Sequence, residues 1–408
     1  MKRRMTVLGI FLFVVCFILA STISVSAKTL RFQSIWPASI VLNKGDKYFT
    51  DLVDVLCEDE VDIEYNDGGS LVSTSEVFEA VSQGMLDMAT DWPSYWDGKN
   101  TAFSLITSVP MGFTPADYMI WYWQGGGLEL AQELYGKYDI VWIPHAVTGP
   151  ESGQRSNTPI KSLEDYKGVK MRQCGRVQAQ MLQDVGGSAV FMPGGEVYMA
   201  IQRGTIDAGE FSVPEVDWHM GFQEITDYWV LPGWHQPGPI WGVLINENTW
   251  NKLSDQTKFT FKEAAMASMM WTWTYFEYGS SEYTNRFVEE AGVEINRLDD
   301  EVLEKLQNAA WKYMIQDAKK NPDYAKIAFS QLDFFKKMST WRRIQQPFMY
   351  GRTPSGLDDT YEQIKKIAQD HGVYEEVLQL QKDVRERMVE QKFWTPGTKY
   401  VTNPVPVE

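Results

Sequence analysis

Two α/β lobes followed by a helical region are the architecture this 408-residue sequence predicts. Three observations carry it. Strand-like and helix-like segments alternate as far as about residue 209. A helix–glycine–strand unit occurs twice, as EVFEAVSQGMLDMA from Glu76 and as EVYMAIQRGTIDAG from Glu196. From about Ser254 the apolar spacing becomes helical and stays so. The length suits two or three compact units of ordinary size.

In chain order, Lys2, Arg3 and Arg4 precede an apolar stretch from Met5 to Ala20, and Val25-Ser26-Ala27 forms an A-x-A-like peptidase site. Residues 1–27 are therefore predicted to be a Sec signal peptide. An uncleaved anchor is the alternative, because the apolar run approaches the roughly 20 residues that span a bilayer. Cys16 follows Val15 rather than a small residue, so a lipoprotein cysteine is not predicted. Residues 29–36 alternate as a strand stopped by Pro37; 46–56 read as a helix, 61–65 as a strand, 75–83 as a helix ended by Gly84, and 85–90 as a strand. This β-α-β-α-β order with short links predicts a parallel sheet covered by helices. A second set follows, with strands at 141–143, 169–172, 189–192 and 206–209 and helices at 177–185 and 197–203. Helices are predicted over 254–278, 299–320, 324–337 and 359–369, with a break at 351–356 and a proline-containing irregular tail. Met266, Met269, Met270, Trp271 and Trp273 are read as core or subunit packing rather than as a ligand stripe.

Acidic residues number 54 against 38 basic, a net charge of −16 that becomes −19 once Lys2, Arg3 and Arg4 leave with the leader. That excludes nucleic acid as a partner, since such binding needs clustered Lys and Arg. Cys57 and Cys174 remain in the mature chain, and no disulfide between them is predicted. No second run is apolar and long enough to span a bilayer, so the mature protein is expected to be soluble. His145, His219, His235 and His371 form no H-E-x-x-H motif, and neither C-x-x-C, G-x-S-x-G nor a phosphate-cradling loop occurs. Gln124-Gly125-Gly126-Gly127 lies between two helical-looking segments and reads as a turn.

What remains is a set of polar residues among aromatics at loop positions after strands, where α/β sheets bind ligands. Arg172, in GVKMRQCG, ends a predicted strand. A strand arginine usually points to solvent. A fixed guanidinium at a strand end, however, grips a carboxylate through two parallel charge-assisted hydrogen bonds.

GVKMRQCG, MPGGEVYMAIQRGTIDAGEF and LPGWHQPGP together resemble the DctP-type solute-binding proteins of tripartite ATP-independent periplasmic (TRAP) transporters. Within these the chain is similar to the subgroup that binds α-keto acids and lactate. SIWP, GGSLVSTSEVFEAVSQGMLDMA, YWDGKN, SVPMGF and IWYWQGGGLELAQELY agree, so the likeness covers roughly residues 29–350. It implies a two-lobed periplasmic-binding-protein (Venus flytrap) fold with a long helical connection and a helical C-terminal region. Lobe 1 would hold residues 28–147 with about 238–265, and lobe 2 would hold 148–237 with about 290–350. Residues 266–289 would belong to the long connecting helix, and 351–408 would form a helical and irregular extension. The resemblance also implies a periplasmic or extracytoplasmic location, TRAP membrane permease subunits as partners, no catalysis, and a homodimer in which the long helix is exchanged between subunits.

Carried over residue by residue, Arg172 matches the arginine that clamps the carboxylate of a small organic acid. Glu210-Phe211 match a Glu-Trp pair whose acid and following carbonyl hold a cation bridging to the substrate. Gln236 matches an acidic position of the cleft, Glu151 falls where the subgroup has a cation- or substrate-contacting Gln, and Tyr95 matches an aromatic that reaches the ligand. Two carboxylates beside an anionic substrate disfavour joint ionisation. A bound metal cation is therefore implied, Ca²⁺ over Na⁺ if all three are ionised. The alternative leaves Glu151 solvated and gives its role to Gln154. The rival function is a secreted acid-base hydrolase acting on a carbohydrate, with Glu210 and Glu215 as its carboxylates and tryptophans as sugar platforms.

Overall fold

The computed structural model describes residues 27–345 and 356–389. The predicted leader, most of the predicted break at 351–356 and the predicted tail lie outside the described residues. The strands described are β1 (Lys28–Gln33), β2 (Val61–Asn66), β3 (Met88–Asp91), β4 (Ile140–Val147), β5 (Gln154–Ser156), β6 (Lys170–Arg172), β7 (Ser188–Val190), β8 (Ala208–Glu210), β9 (Tyr228–Leu231), β10 (Ile240–Asn246) and β11 (Glu294–Arg297). They form two sheets, in the orders β2-β1-β3-β10-β4 and β11-β9-β5-β8-β6-β7. Each sheet is the centre of one lobe.

The sheets are mixed rather than wholly parallel. β1 to β3 run parallel, but β10 pairs antiparallel with β3 and β4. In the second sheet β6, β7 and β8 are parallel, whereas β5 is antiparallel to β8 and β9. The reason lies in the connections. Strands joined by helices on the sheet face return parallel, but β5 and β10 come straight from the other lobe and join their sheets without such a crossover. β5 is three residues and β9 four, too short to show a periodicity in the sequence.

The repeated unit folds the same way twice. Helices Val77–Ser82 and Val197–Gln202 each follow a 3-10 turn and stop at Gly84 (φ 73°) and Gly204 (φ 67°), left-handed positions that favour glycine. The strands that follow, β3 and β8, end at Asp91 and Glu210, at matching places in the two lobes. Gly126 (φ 81°) turns the chain between helices Pro115–Gln124 and Gly127–Gly136, as expected for a turn.

Helix Asp255–Asn285 starts at Ser254, whose side chain accepts from the Thr257 N–H at 3.1 Å. Ala265, Ser268, Met269, Thr272 and Phe276 are buried along one face, while Met266 and Met270 on the other remain exposed. The helix packs on β4 in the first lobe and on helix Pro214–His219 in the second, so it bridges the two. Helix Asp300–Lys320 joins the second lobe's core through Val302, Leu306 and Ala310. One boundary expected from the sequence differs. Helix Pro322–Gln345, placed with lobe 2, packs on the first lobe, where Phe334 and Phe335 meet Phe113 and Arg342 pairs with buried Asp117. Two adjacent aromatics need a deep apolar seat, and the first lobe supplies it.

Asp91 closes β3 in full burial and accepts hydrogen bonds from Trp96 Nε1 and Tyr135 Oη. It thereby anchors the turn Pro93–Trp96 that carries Tyr95. Burial pushes its carboxyl up to about 7, against the opposing hydrogen bonds. A raised folded value means the neutral acid stabilises the fold fully below its ordinary value of about 3.9, and that contribution is lost as pH rises through the folded value. Relative to Asp91→Asn, wild-type stability in urea titrations should fall from about pH 4 to 7, by at most about 1.4 kcal/mol per pH unit, then level off. Parallel pH profiles for the two proteins would remove this role.

Candidate functional site

Four chain segments meet between the lobes. Arg172 ends β6 and Glu210 ends β8, so the second sheet places both at its carboxyl edge. Glu151 lies in the crossing from β4 to β5, and His235 with Gln236 in the crossing from β9 to β10. The crossings touch: the Glu151 N–H donates to the Gln236 carbonyl at 3.0 Å. Gly233 makes this possible, since a Cβ there would stand 1.9 Å from the Glu151 carbonyl oxygen. Tyr95 enters from the first lobe, its ring 6.3 Å from Phe191 of the second.

Arg172 is buried, and three oxygens accept from two of its nitrogens. Nη1 donates to Glu210 Oε2 at 2.6 Å and to the Glu210 carbonyl at 3.0 Å, while Nε donates to the Met192 carbonyl at 3.1 Å. The Cys174 N–H donates to Glu210 Oε1 at 2.6 Å, so both carboxylate oxygens are held. A hydrogen bond of 2.8 Å links His235 Nε2 and Glu151 Oε2, and the same nitrogen lies 3.9 Å from Glu210 Oε2. Gln236 Nε2 donates to Cys174 Sγ, while Gln236 Oε1 is buried without a hydrogen-bond partner.

Burial dominates the electrostatics. It raises Glu151 well above the usual carboxylate range, with the Glu210 charge adding to the effect. Glu210 is also raised by burial, with Arg172 opposing. Burial, then the Arg172 charge, lowers His235 to about 3, so its imidazole is neutral. Burial pushes the Tyr95 hydroxyl up to about 12 and the Cys174 thiol well above its ordinary value. A buried cluster of perturbed acids around one guanidinium in a cleft is the pattern of a candidate functional site.

Glu151, Arg172, Cys174, Gln236, Tyr95 and Phe211 surround a cavity of ≈ 10 Å³, with Trp36 and Trp92 completing its wall. That is room for about one water, so the lobes stand closed. A larger open groove of ≈ 640 Å³ shares Glu151 and is lined by Trp229, Trp234, Glu277 and Arg297. It lacks the Arg172 guanidinium, which lines the smaller cavity. At the rim, Arg176 of the second lobe pairs with Asp97 of the first at 3.1 Å and with Asp317, fastening the lobes together.

The residues singled out in the sequence, Tyr95, Glu151, Arg172, Glu210, Phe211 and Gln236, thus come together here. Glu151 is buried rather than solvated, and Gln154 turns instead to Tyr166, whose hydroxyl donates to its Oε1 at 3.2 Å. The carbohydrate-hydrolase pair is not assembled. Glu215 accepts from Tyr275 Oη at 2.7 Å and lines a separate groove with Trp271 and Tyr278, so it shares no cleft with Glu210. Sequence reasoning passed over His235, Cys174 and the Asp97–Arg176 pair. For His235 a signal existed, its place beside Gln236 in LPGWHQPGP.

Two lobes closing on a buried arginine between crossing strands define a solute-binding protein. The chain belongs to the DctP family, bacterial extracellular solute-binding protein family 7, whose model matches residues 32–321. It is similar to a monocarboxylate 2-oxoacid-binding periplasmic protein of Nostoc sp. strain PCC 7120, 28% identical over 316 residues that span 78% of this chain and 86% of that protein. A TRAP transporter solute-binding protein from Bordetella bronchiseptica RB50, a mixed-occupancy dimer with copurified calcium and picolinate, matches with TM-score 0.74 and 26% identity over 78% of this chain and 95% of its own. Another from Pseudoalteromonas atlantica T6c, with bound sodium and pyruvate, matches with TM-score 0.74 and 25% identity over 78% and 97% of the two chains. No helix among the described residues is long and apolar enough to cross a membrane.

Arg172→Met should destabilise the fold by about 3–5 kcal/mol, because it leaves Glu210 buried without its charge partner. The double variant Arg172→Met/Glu210→Gln should recover at least half of that loss in urea unfolding. Equal loss in single and double variants would show that the pair is not coupled.

Proposed function

We propose that this protein is the extracytoplasmic receptor of a TRAP transporter, capturing a small monocarboxylate, a 2-oxo or 2-hydroxy acid, and delivering it to the membrane permease subunits. The observation that carries this reading is the buried Arg172 guanidinium, fixed through Nε and Nη1, at a cavity walled by Tyr95, Phe211, Trp36 and Trp92. Nη2 makes no protein hydrogen bond among the described residues and is the donor we assign to the acid. Aromatic walls suit a short carbon skeleton, and their size limits its length.

The acid brings a negative charge to a site that already holds Glu151 and Glu210, and a cation answers this conflict. The donor set fits one. Oxygens of Glu151 and Glu210 and a ring nitrogen of His235 lie within 4.8 Å of one another, and Gln236 Oε1 is buried beside them without a partner. Glu151, Glu210 and Gln236, with the Phe211 carbonyl expected from the resemblance, would hold the ion, which supplies positive charge between the carboxylates and the acid. The two departures from the subgroup's pattern then compensate. The acid absent at Gln236 stands at Glu151, on the neighbouring crossing, so the number of carboxylates is unchanged.

Capture needs only opening and closing. Parting the lobes breaks the Asp97–Arg176 rim contact and admits the acid; closing expels water, which strengthens the Arg172 pairing in the lower dielectric. No covalent step is assigned.

Calorimetry with pyruvate and lactate tests the reading. The wild type should bind one of them, Arg172→Ala should lose at least a hundredfold in affinity, about the loss of a buried charge-assisted pair, and chelation should weaken binding. Unaltered affinity in Arg172→Ala would overturn the clamp, and unaltered affinity after chelation would overturn the cation.

A further inference from the structure

We infer that His235 is itself a ligand of the bridging ion, and that the site therefore selects a borderline divalent metal such as Co²⁺ or Zn²⁺ over Na⁺ and Ca²⁺. The inference rests on the cation reading above and concerns which ion the site takes.

The geometry supplies the first argument. His235 Nε2 stands 2.8 Å from Glu151 Oε2 and 3.9 Å from Glu210 Oε2. Atoms that share a metal at bond lengths of about 2.0–2.2 Å, with angles of a right angle or more, are separated by about 2.8–4.2 Å. Both separations fall in that range with no side chain moved. All three residues are buried, so the trio is not a solvated surface cluster.

Donor chemistry supplies the second. Sodium and calcium favour oxygen-only shells, whereas an imidazole nitrogen with carboxylates suits first-row divalent ions. Gln236 completes the shell independently, its Oε1 being buried and unpartnered in a residue that lines the same cavity as Glu151. Charge agrees as well. A divalent ion together with Arg172 balances Glu151, Glu210 and a bound monocarboxylate, whereas a monovalent ion leaves one negative charge buried without compensation.

The test uses the full mature chain, stripped with a chelator and titrated by calorimetry with MnCl₂, ZnCl₂, CaCl₂ and NaCl in the absence of any acid. The expected result is that Zn²⁺ binds at least tenfold tighter than Ca²⁺, and that His235→Gln costs tenfold or more for Zn²⁺ and less for Ca²⁺. Visible absorption of the Co²⁺-loaded protein should change in His235→Gln, a readout that folding defects alone would not give. Thermal melts of His235→Gln and His235→Asn verify that the variants fold. Calcium binding as tightly as zinc, or an equal loss for every metal in both variants, would overturn the inference. A separate pyruvate titration distinguishes the two levels: acid binding indifferent to every metal removes the cation bridge itself, whereas metal-dependent binding with calcium preferred removes only the role of His235.

Discussion

A buried charge must be answered, and the structure between the lobes is organised around one such charge. The Arg172 guanidinium sits at the end of a strand, away from water, where an unpaired cation costs several kcal/mol. Glu210 answers it, but that places an acid in the same dry space. The Cys174 N–H then holds Glu210 at its second oxygen, and Glu151 with His235 fills the next layer. Each polar group is there because the previous one required a partner. The chain of requirements ends at atoms left without one, Gln236 Oε1 among them, and that is where the proposed ion would make up what the protein leaves unmet.

The fold makes this arrangement available twice over. The repeated helix–glycine–strand unit ends each of its strands at the cleft, so one copy delivers Asp91 and the turn bearing Tyr95 and the other delivers Glu210 and Phe211. The crossings between lobes bring Glu151 and His235-Gln236 to the same place from a third direction. Residues on the crossings sit at the pivot of any opening motion, whereas Arg172 travels with the second lobe and Tyr95 with the first. Closure therefore assembles the aromatic wall against a polar set that is already built.

The alternation of strands and helices, the two copies of the repeat and the helical second half were legible in the sequence because period and glycine caps are local properties. The antiparallel joins of β5 and β10 were not, because they follow from which lobe a strand arrives from. Helix Pro322–Gln345, expected with lobe 2, seats Phe334 and Phe335 against Phe113 of the first lobe, a contact that helical spacing alone does not reveal. At the site, the resemblance led to six residues that the structure gathers in one place. His235 escaped although it stands beside Gln236 in LPGWHQPGP, because only the fold brings Glu151 within 2.8 Å of its ring. The net charge of −16 excluded nucleic acid and said little about a small anion, since distant surface acids are screened beyond about 10 Å.

On the proposed reading, the carboxylate of Glu151 on one crossing does the work of the acid that the related subgroup carries at the position of Gln236. Exchanging the two side chains tests it. Pyruvate affinity should fall at least tenfold in Glu151→Gln, which removes a carboxylate. It should return to within about threefold of the wild type in Glu151→Gln/Gln236→Glu, where the total charge is restored one residue pair away. Full affinity in the single variant, or no recovery in the exchange, would contradict the account.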